Sequence, residues 1–375
     1  MFAPSYWKRY FEVFEEVKIV ARVRPVAEAS PDWVRVNTDR ISVEPLPHYI
    51  GPWEYLLRRQ RVLNSARNAF TVGDAVLFYS ASPPALALRN KLRASAYPYG
   101  VYIIADPYDV FSPGAVRSKL RPFFRWSVPR QLRSLCYGAS AAAYITEAAL
   151  QKQYPPSPAA YTDHYSMAEL PEDTFVEQPK TFAPDRTSWM LVTVGAMSQL
   201  YKAQDILIEA IARCTQQGLD LKLVFVGDGQ YRPMLEKQAA ELGIGDRCLF
   251  LGALTAGAAV RQQLDRADLF VLPSRQEGLP RAMLEAMARG LPCLGSTVGG
   301  MPELLPSEDL VPPVDVSALA AKIREMVSDP QRLSEMSARN LHRAQDFRED
   351  CIQDRRTAFY RALRQQTEAW LSQHP

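Results

Sequence analysis

The stretch Leu272–Pro302, LPSRQEGLPRAMLEAMARGLPCLGSTVGGMP, gathers groups suited to a charged, hydroxylated ligand. It reads as a strand end, a turn through Gly278, and a helix entered at Pro280, whose fixed φ suits a first helical position. The amides of Gly278 and Leu279 then point out of a helix N-terminus, where roughly half a positive charge collects and an anion such as a diphosphate binds well. Glu277 lies in the loop and Glu285 inside the helix. Five helical residues advance about 8 Å, so the two carboxylates could address opposite ends of an elongated ligand such as a sugar nucleotide, accepting hydrogen bonds from its hydroxyls. The same residues also fit a structural role. Ser274 with Glu277 has the spacing of a capping box, and Arg281, Glu285 and Arg289 have that of i,i+4 ion pairs.

Two further features converge on this crevice. Lys202 follows Val194–Gly195 at the end of an apolar run, where a loop can carry an ammonium onto a phosphate. Asp228 and Gly229, in VGDG, end the next run, and such strand ends face one crevice. There is no D-x-D, and His48, His164, His342 and His374 form no ligand pair, so no bound divalent metal is required. Lys202 is expected to supply the charge instead.

The elements that must position these groups alternate. Strands are expected at Leu191–Gly195, Leu221–Gly227, Cys248–Leu251, Leu269–Leu272 and Pro292–Gly295, and helices at Asp205–Gln216, Tyr231–Leu242, Gly257–Arg266 and Pro280–Arg289. Such alternation means a parallel sheet covered on both faces. The first half is less regular, with strands expected at Val17–Val23, Ala75–Tyr79, Val101–Ala105 and Ala141–Ile145 after an opening helix Tyr6–Phe14, and reads as a second α/β unit. The organisation expected is an N-terminal domain over 1–185, a C-terminal nucleotide-sugar-binding domain over 186–349, and a helix in 350–375 packing back on the first domain. The proline-rich stretch Tyr154–Arg186 makes the connection.

Composition narrows the class. Of 375 residues 47% are apolar and 23% charged, a globular balance, and five scattered cysteines with no C-x-x-C pair argue against a disulfide scaffold or structural zinc. No apolar run is long enough to span a bilayer and the start is too charged for a secretory signal, so a cytoplasmic chain is expected. The net charge of +3 gives no argument for nucleic acid, yet it conceals +9 over residues 1–135 and −6 over the rest. Arg117–Arg133 interleaves cations with Phe123, Phe124 and Trp126, which suits an anionic acceptor or peripheral contact with the inner face of a membrane; the alternative is a solvated helix with its aromatics in the core.

In order and spacing, VGAMSQLYKAQDILIEAI, LVFVGDGQYRPMLE, FLGAL and ADLFVLPSRQEGLPRAMLEAMARGLPCLGSTVGGMPELL resemble the nucleotide-binding domain of the retaining glycosyltransferases of family 4 (glycosyl transferases group 1). The resemblance covers about Leu191 to Pro330. It implies an α/β GT-B fold, two Rossmann-like domains facing a cleft. Lys202 matches the family lysine on the donor diphosphate, and Gly278 and Leu279 the loop binding the same group. Glu277 is similar to the glutamate at the transferred sugar and Glu285 to the one holding the ribose. Phe250–Leu254, with Leu251, resembles the stretch near the base, and Gly195 and Gly229 fall in the strand-end loops of the donor site. The chain departs from the family in three places. Ala196 stands where an arginine is common, leaving Lys202 alone or Arg275 or Arg281 as substitutes. Asp106 and Asp109 stand near where many relatives place a histidine, and are acceptor-side candidates, although an Asp before Pro107 is also a turn former. The first strand and Gly-rich loop expected of the N-terminal domain are missing from its start, which fits a shortened gene model or a remodelled domain. The resemblance implies transfer of a sugar from a nucleotide-sugar donor to a glycan or lipid-linked acceptor, with retention, in surface polysaccharide or glycoconjugate assembly. The alternative is a non-catalytic nucleotide-sugar-binding or membrane-associated subunit.

Overall fold

The computed structural model describes residues 4–30, 33–111 and 119–374. A short helix Pro4–Trp7 and a 3-10 turn Lys8–Tyr10 precede the first strands, β1 (Val17–Val23) and β2 (Ile41–Pro47), which form a two-stranded parallel sheet of their own among the described residues. The continuous helix expected over Tyr6–Phe14 is thus broken into tighter turns. They bring Tyr10 to stack on Trp7 at 5.9 Å and on Tyr360 at 4.8 Å.

Strands β3 (Val76–Phe78), β4 (Tyr99–Ile103), β5 (Ala141–Tyr144) and β6 (Tyr161–His164) form a four-stranded parallel sheet. The fourth lies inside the stretch expected to be mere connection. The remaining strands, β7 (Ser188–Val194), β8 (Asp220–Val226), β9 (Cys248–Phe250), β10 (Leu269–Leu272), β11 (Cys293–Ser296) and β12 (Leu310–Val311), form a six-stranded parallel sheet in the order β12-β11-β10-β7-β8-β9.

Strand alternation explains how one sheet serves two cores. Leu191, Leu223, Phe225, Leu269 and Val271 point into an apolar cluster with the helices Gln204–Gln216, Val316–Val327 and Pro330–Ala344. Their neighbours Val192, Val224, Val226, Phe270 and Leu272 point the other way. That second cluster continues through Leu279 and Met283 into Tyr102, Tyr144 and Ile145 of the N-terminal sheet, so a single apolar seam joins the two units. The helix Glu349–Gln373 crosses to the N-terminal sheet and buries Ile352, Phe359, Tyr360 and Leu363 there. Among the described residues no helix is long and apolar enough to cross a membrane.

Candidate active site

The loops after β7 and β8 meet backbone to backbone. Gly195 N donates to Val226 O at 2.9 Å and Met197 N to Asp228 O at 2.8 Å. Gly227 and Gly229 have φ of +141° and +155°, and a Cβ on either would lie within 2.2 Å of the opposing loop, so only glycine fits. Lys202 closes the 3-10 turn Leu200–Lys202. Ala203, left-handed at φ 55°, then turns the chain into the helix Gln204–Gln216. The lysine stem lies over Gly195, 3.1 Å from where a Cβ would sit.

The ammonium is not directed into solvent. Lys202 Nζ donates to Glu277 Oε1 at 2.6 Å, with the two side chains 13% and 8% exposed. Ser274 Oγ donates to the same oxygen at 2.7 Å, and Ser296 Oγ fixes Ser274 by donating to its carbonyl at 2.6 Å. Ser274 therefore meets the carboxylate of Glu277 rather than its amide, and the capping-box geometry does not form. Arg275 makes a bidentate pair with Asp205 at 2.8 and 2.7 Å and donates to Leu200 O at 2.7 Å, tying the Lys202 loop to the Glu277 loop. Arg281 pairs with Glu285 at 2.8 Å, while Arg289 goes to Asp265 at 2.6 Å. Both arginines considered as substitutes at Ala196 are thus engaged with carboxylates.

Pro280 is the N-cap of the helix Arg281–Ala288 and has an extended backbone, so the helix starts one residue later than its sequence suggests. Within the described residues the amides of Gly278 and Leu279 donate to no protein acceptor, and no side chain caps this helix. Gly278 abuts the end of β4: a Cβ there would lie 2.8 Å from Ile104 O, while its own carbonyl accepts from Gly300 N at 2.7 Å. The carboxyl ends of the two sheets therefore meet at this loop. Leu251, just beyond β9, is held through its amide to Phe225 O at 3.0 Å, beside the stacked rings of Phe225 and Phe250 at 4.5 Å.

On the N-terminal side Asp106 caps the helix Pro107–Val110, accepting from Tyr108 N at 2.8 Å and from the Tyr154 hydroxyl. Asp109 lies beside it; burial, and secondarily the Asp106 charge, push its carboxyl up to about 6 against the opposing pull of Arg125. Arg117 lies outside the described residues. In the helix Arg121–Tyr137, Phe123 and Trp126 are each 56% exposed, not in the core, and Arg130 lies 4.5 Å over the Trp126 ring.

Sequence reasoning missed Glu303. Its carboxylate accepts from the amides of Glu147, Ala148 and Ala149 at 2.6, 2.9 and 2.7 Å, gripping the N-terminal unit from the C-terminal one. Arg343 adds an ion pair to Glu147 at 2.5 Å. A contact spanning that much chain leaves no local spacing signal.

Two parallel α/β units meeting at the carboxyl ends of their strands, around a cationic loop and an uncapped helix N-terminus, have the architecture of a GT-B glycosyltransferase. The structure superposes on sucrose-phosphate synthase from Thermosynechococcus elongatus with a TM-score of 0.68 at 20% identity, covering 93% of this chain and 89% of the other. It superposes on Anabaena HepE in complex with UDP and glucose with a TM-score of 0.55 at 19% identity, covering 88% and 86%. Residues 175–343 match the family described as glycosyl transferases group 1. Protein CapJ of Staphylococcus aureus is 23% identical over 88% of this chain and 82% of its own length. The N-acetyl-alpha-D-glucosaminyl L-malate synthase of Bacillus anthracis is 30% identical over 49% of each chain.

Proposed function

We propose that the chain is a retaining, family 4 type hexosyltransferase that moves a sugar from a nucleotide-sugar donor to a glycan or lipid-linked acceptor in surface polysaccharide or glycoconjugate assembly. The observation that carries this reading is the Lys202–Glu277 pair set beside the unpartnered amides of Gly278 and Leu279. A donor diphosphate entering there takes the ammonium from Glu277 and accepts from both amides. Glu277, released, accepts from a hydroxyl of the sugar. As the bond from the anomeric carbon to the diphosphate oxygen breaks, its electron pair moves onto the diphosphate, where Lys202 and the helix N-terminus stabilise it, while the acceptor hydroxyl oxygen bonds to the anomeric carbon and its proton passes to the departing diphosphate oxygen. Glu285 takes the ribose hydroxyls by exchanging them for Arg281, and the base lies near Leu251, with Gly195 and Gly229 letting the backbone approach.

Asp106 and Asp109 are the acceptor-side candidates; Asp106 is occupied as a cap, whereas Asp109 accepts no hydrogen bond from a side chain among the described residues. Exposed Phe123 and Trp126 among arginines support an anionic or lipid-linked acceptor met at the inner face of the membrane. Charge supplied by Lys202 and two amides makes a metal unnecessary in this reading, so transfer persists in EDTA. The experiment is a screen of nucleotide sugars by thermal shift, followed by release of free sugar from each donor that binds. Turnover that depends on Lys202 supports the enzyme, and tight donor binding without any turnover points to the non-catalytic subunit.

A further inference from the structure

We propose that the tip formed by the carboxyl ends of β1 and β2 and the first turns of the helix Gly51–Asn68 docks on an anionic lipid surface. β1 and β2 end in register, Val23 opposite Pro47, and the chain runs through His48 and Tyr49 directly into the helix. Arg22 donates to Tyr49 O at 3.1 Å and lies 4.6 Å over the Tyr49 ring, which in turn sits 5.2 Å from Tyr55. Strand ends and helix thus form one built unit.

From this unit Ile50, Trp53 and Leu57, spaced three and four apart on one helix face, project with 68%, 72% and 87% of their surface exposed. Leu56 beside them is also exposed. A leucine standing that clear of its neighbours is a projection that inserts, not a pocket that receives. The helix also carries Arg58, Arg59, Arg61 and Arg67 against one acid, Glu54, whose carboxylate turns back to accept from Ile50 N at 2.9 Å. Arg58, Arg59 and Arg61 are exposed.

Tryptophan and leucine flanked by guanidinium groups suit the boundary between acyl chains and phosphate headgroups, where the apolar side chains enter and the cations stay at the phosphates. The net charge of +9 over residues 1–135 complements the same surface. This helix and Arg121–Tyr137 both pack against the helix Pro83–Ala94, so the tip belongs to the outer helical layer of the N-terminal unit. The inference is independent of sugar transfer and is read by binding alone.

The test is co-sedimentation of the full chain with vesicles rich in phosphatidylglycerol and with vesicles of phosphatidylcholine alone. The wild type is expected to bind the first and not the second. Trp53→Ser with Leu57→Ser lowers the bound fraction about tenfold, and Arg58→Gln with Arg59→Gln and Arg61→Gln removes the preference for the anionic lipid. All these side chains are exposed and the hydrogen bond given up is that from Arg58 to His48 O, so both variants fold as the wild type does, checked by circular dichroism. Failure of the wild type to bind, equal binding to both vesicles, or undiminished binding by the Trp53/Leu57 variant overturns the proposal. Loss of binding only in Phe123→Ser with Trp126→Ser also overturns it, by moving the contact to the other helix.

Discussion

Lys202 and Glu277 give a prediction in which the affinity for one ligand moves in opposite directions. At 2.6 Å the pair attracts by about 6 kcal/mol at an effective dielectric constant near 20, most of it offset by the cost of holding both charges away from water. In the proposed reading, a nucleoside diphosphate displaces Glu277 from the ammonium. Glu277→Gln keeps an acceptor for Ser274 but replaces the ion pair by a hydrogen bond from the ammonium to a neutral amide oxygen, a difference of roughly 1 to 1.5 kcal/mol. UDP or GDP should therefore bind about tenfold more tightly to Glu277→Gln than to the wild type, while sugar transfer falls. Lys202→Ala should weaken the same ligand and lower turnover by about 10² to 10³, the loss of roughly 3 to 4 kcal/mol of transition-state stabilisation. Calorimetric titration gives the affinities, and release of sugar or nucleotide gives the rates. Weaker nucleotide binding by Glu277→Gln, or near-normal turnover by Lys202→Ala, would refute the displacement.

Three other outcomes follow from the geometry. Glu303→Gln weakens three hydrogen bonds to the amides of residues 147–149, and a loss of about 1.5 to 3 kcal/mol in denaturant unfolding is expected. Asp109 has a carboxyl raised from its usual 3.8 to about 6, so the folded state binds its proton more tightly and loses stability as pH rises between those values. Asp109→Asn should accordingly stabilise by up to about 3 kcal/mol at pH 7, less for partial solvent screening, with the gain vanishing below pH ~4 in unfolding titrations. Phe359→Ala, at a fully buried site where the last helix meets the N-terminal sheet, should cost about 3 to 5 kcal/mol in the same measurement.

The six-stranded sheet was legible because its inner strands such as β10 and β11 are buried on both faces and read as short apolar runs; β8, β9, β10 and β11 lie within a residue or two of the expected positions. β6 escaped because Tyr161–His164 is half polar and sits among prolines, and β12 is only two residues long. The helix Gly51–Asn68 buries Val62 and Ala66 but exposes Trp53, Leu56 and Leu57, so its apolar positions do not mark a single inward stripe. At the site, residue types and loop positions were readable, whereas the partners were not. Lys202 and Glu277 are 75 positions apart and Asp205 and Arg275 are 70 apart, distances over which only the folded sheet fixes who meets whom.

The apolar seam through Leu279, Met283, Tyr144 and Ile145 bears on attempts to build chimaeras. Grafting the six-stranded unit onto the N-terminal unit of another chain of this architecture transplants one side of a close-packed joint without its counterpart. Recombination at the linker alone should give poorly soluble hybrids, and an exchange that keeps the joint moves Tyr102, Ile104, Tyr144, Ile145 and Thr146 together with the Gly278 and Gly300 loops.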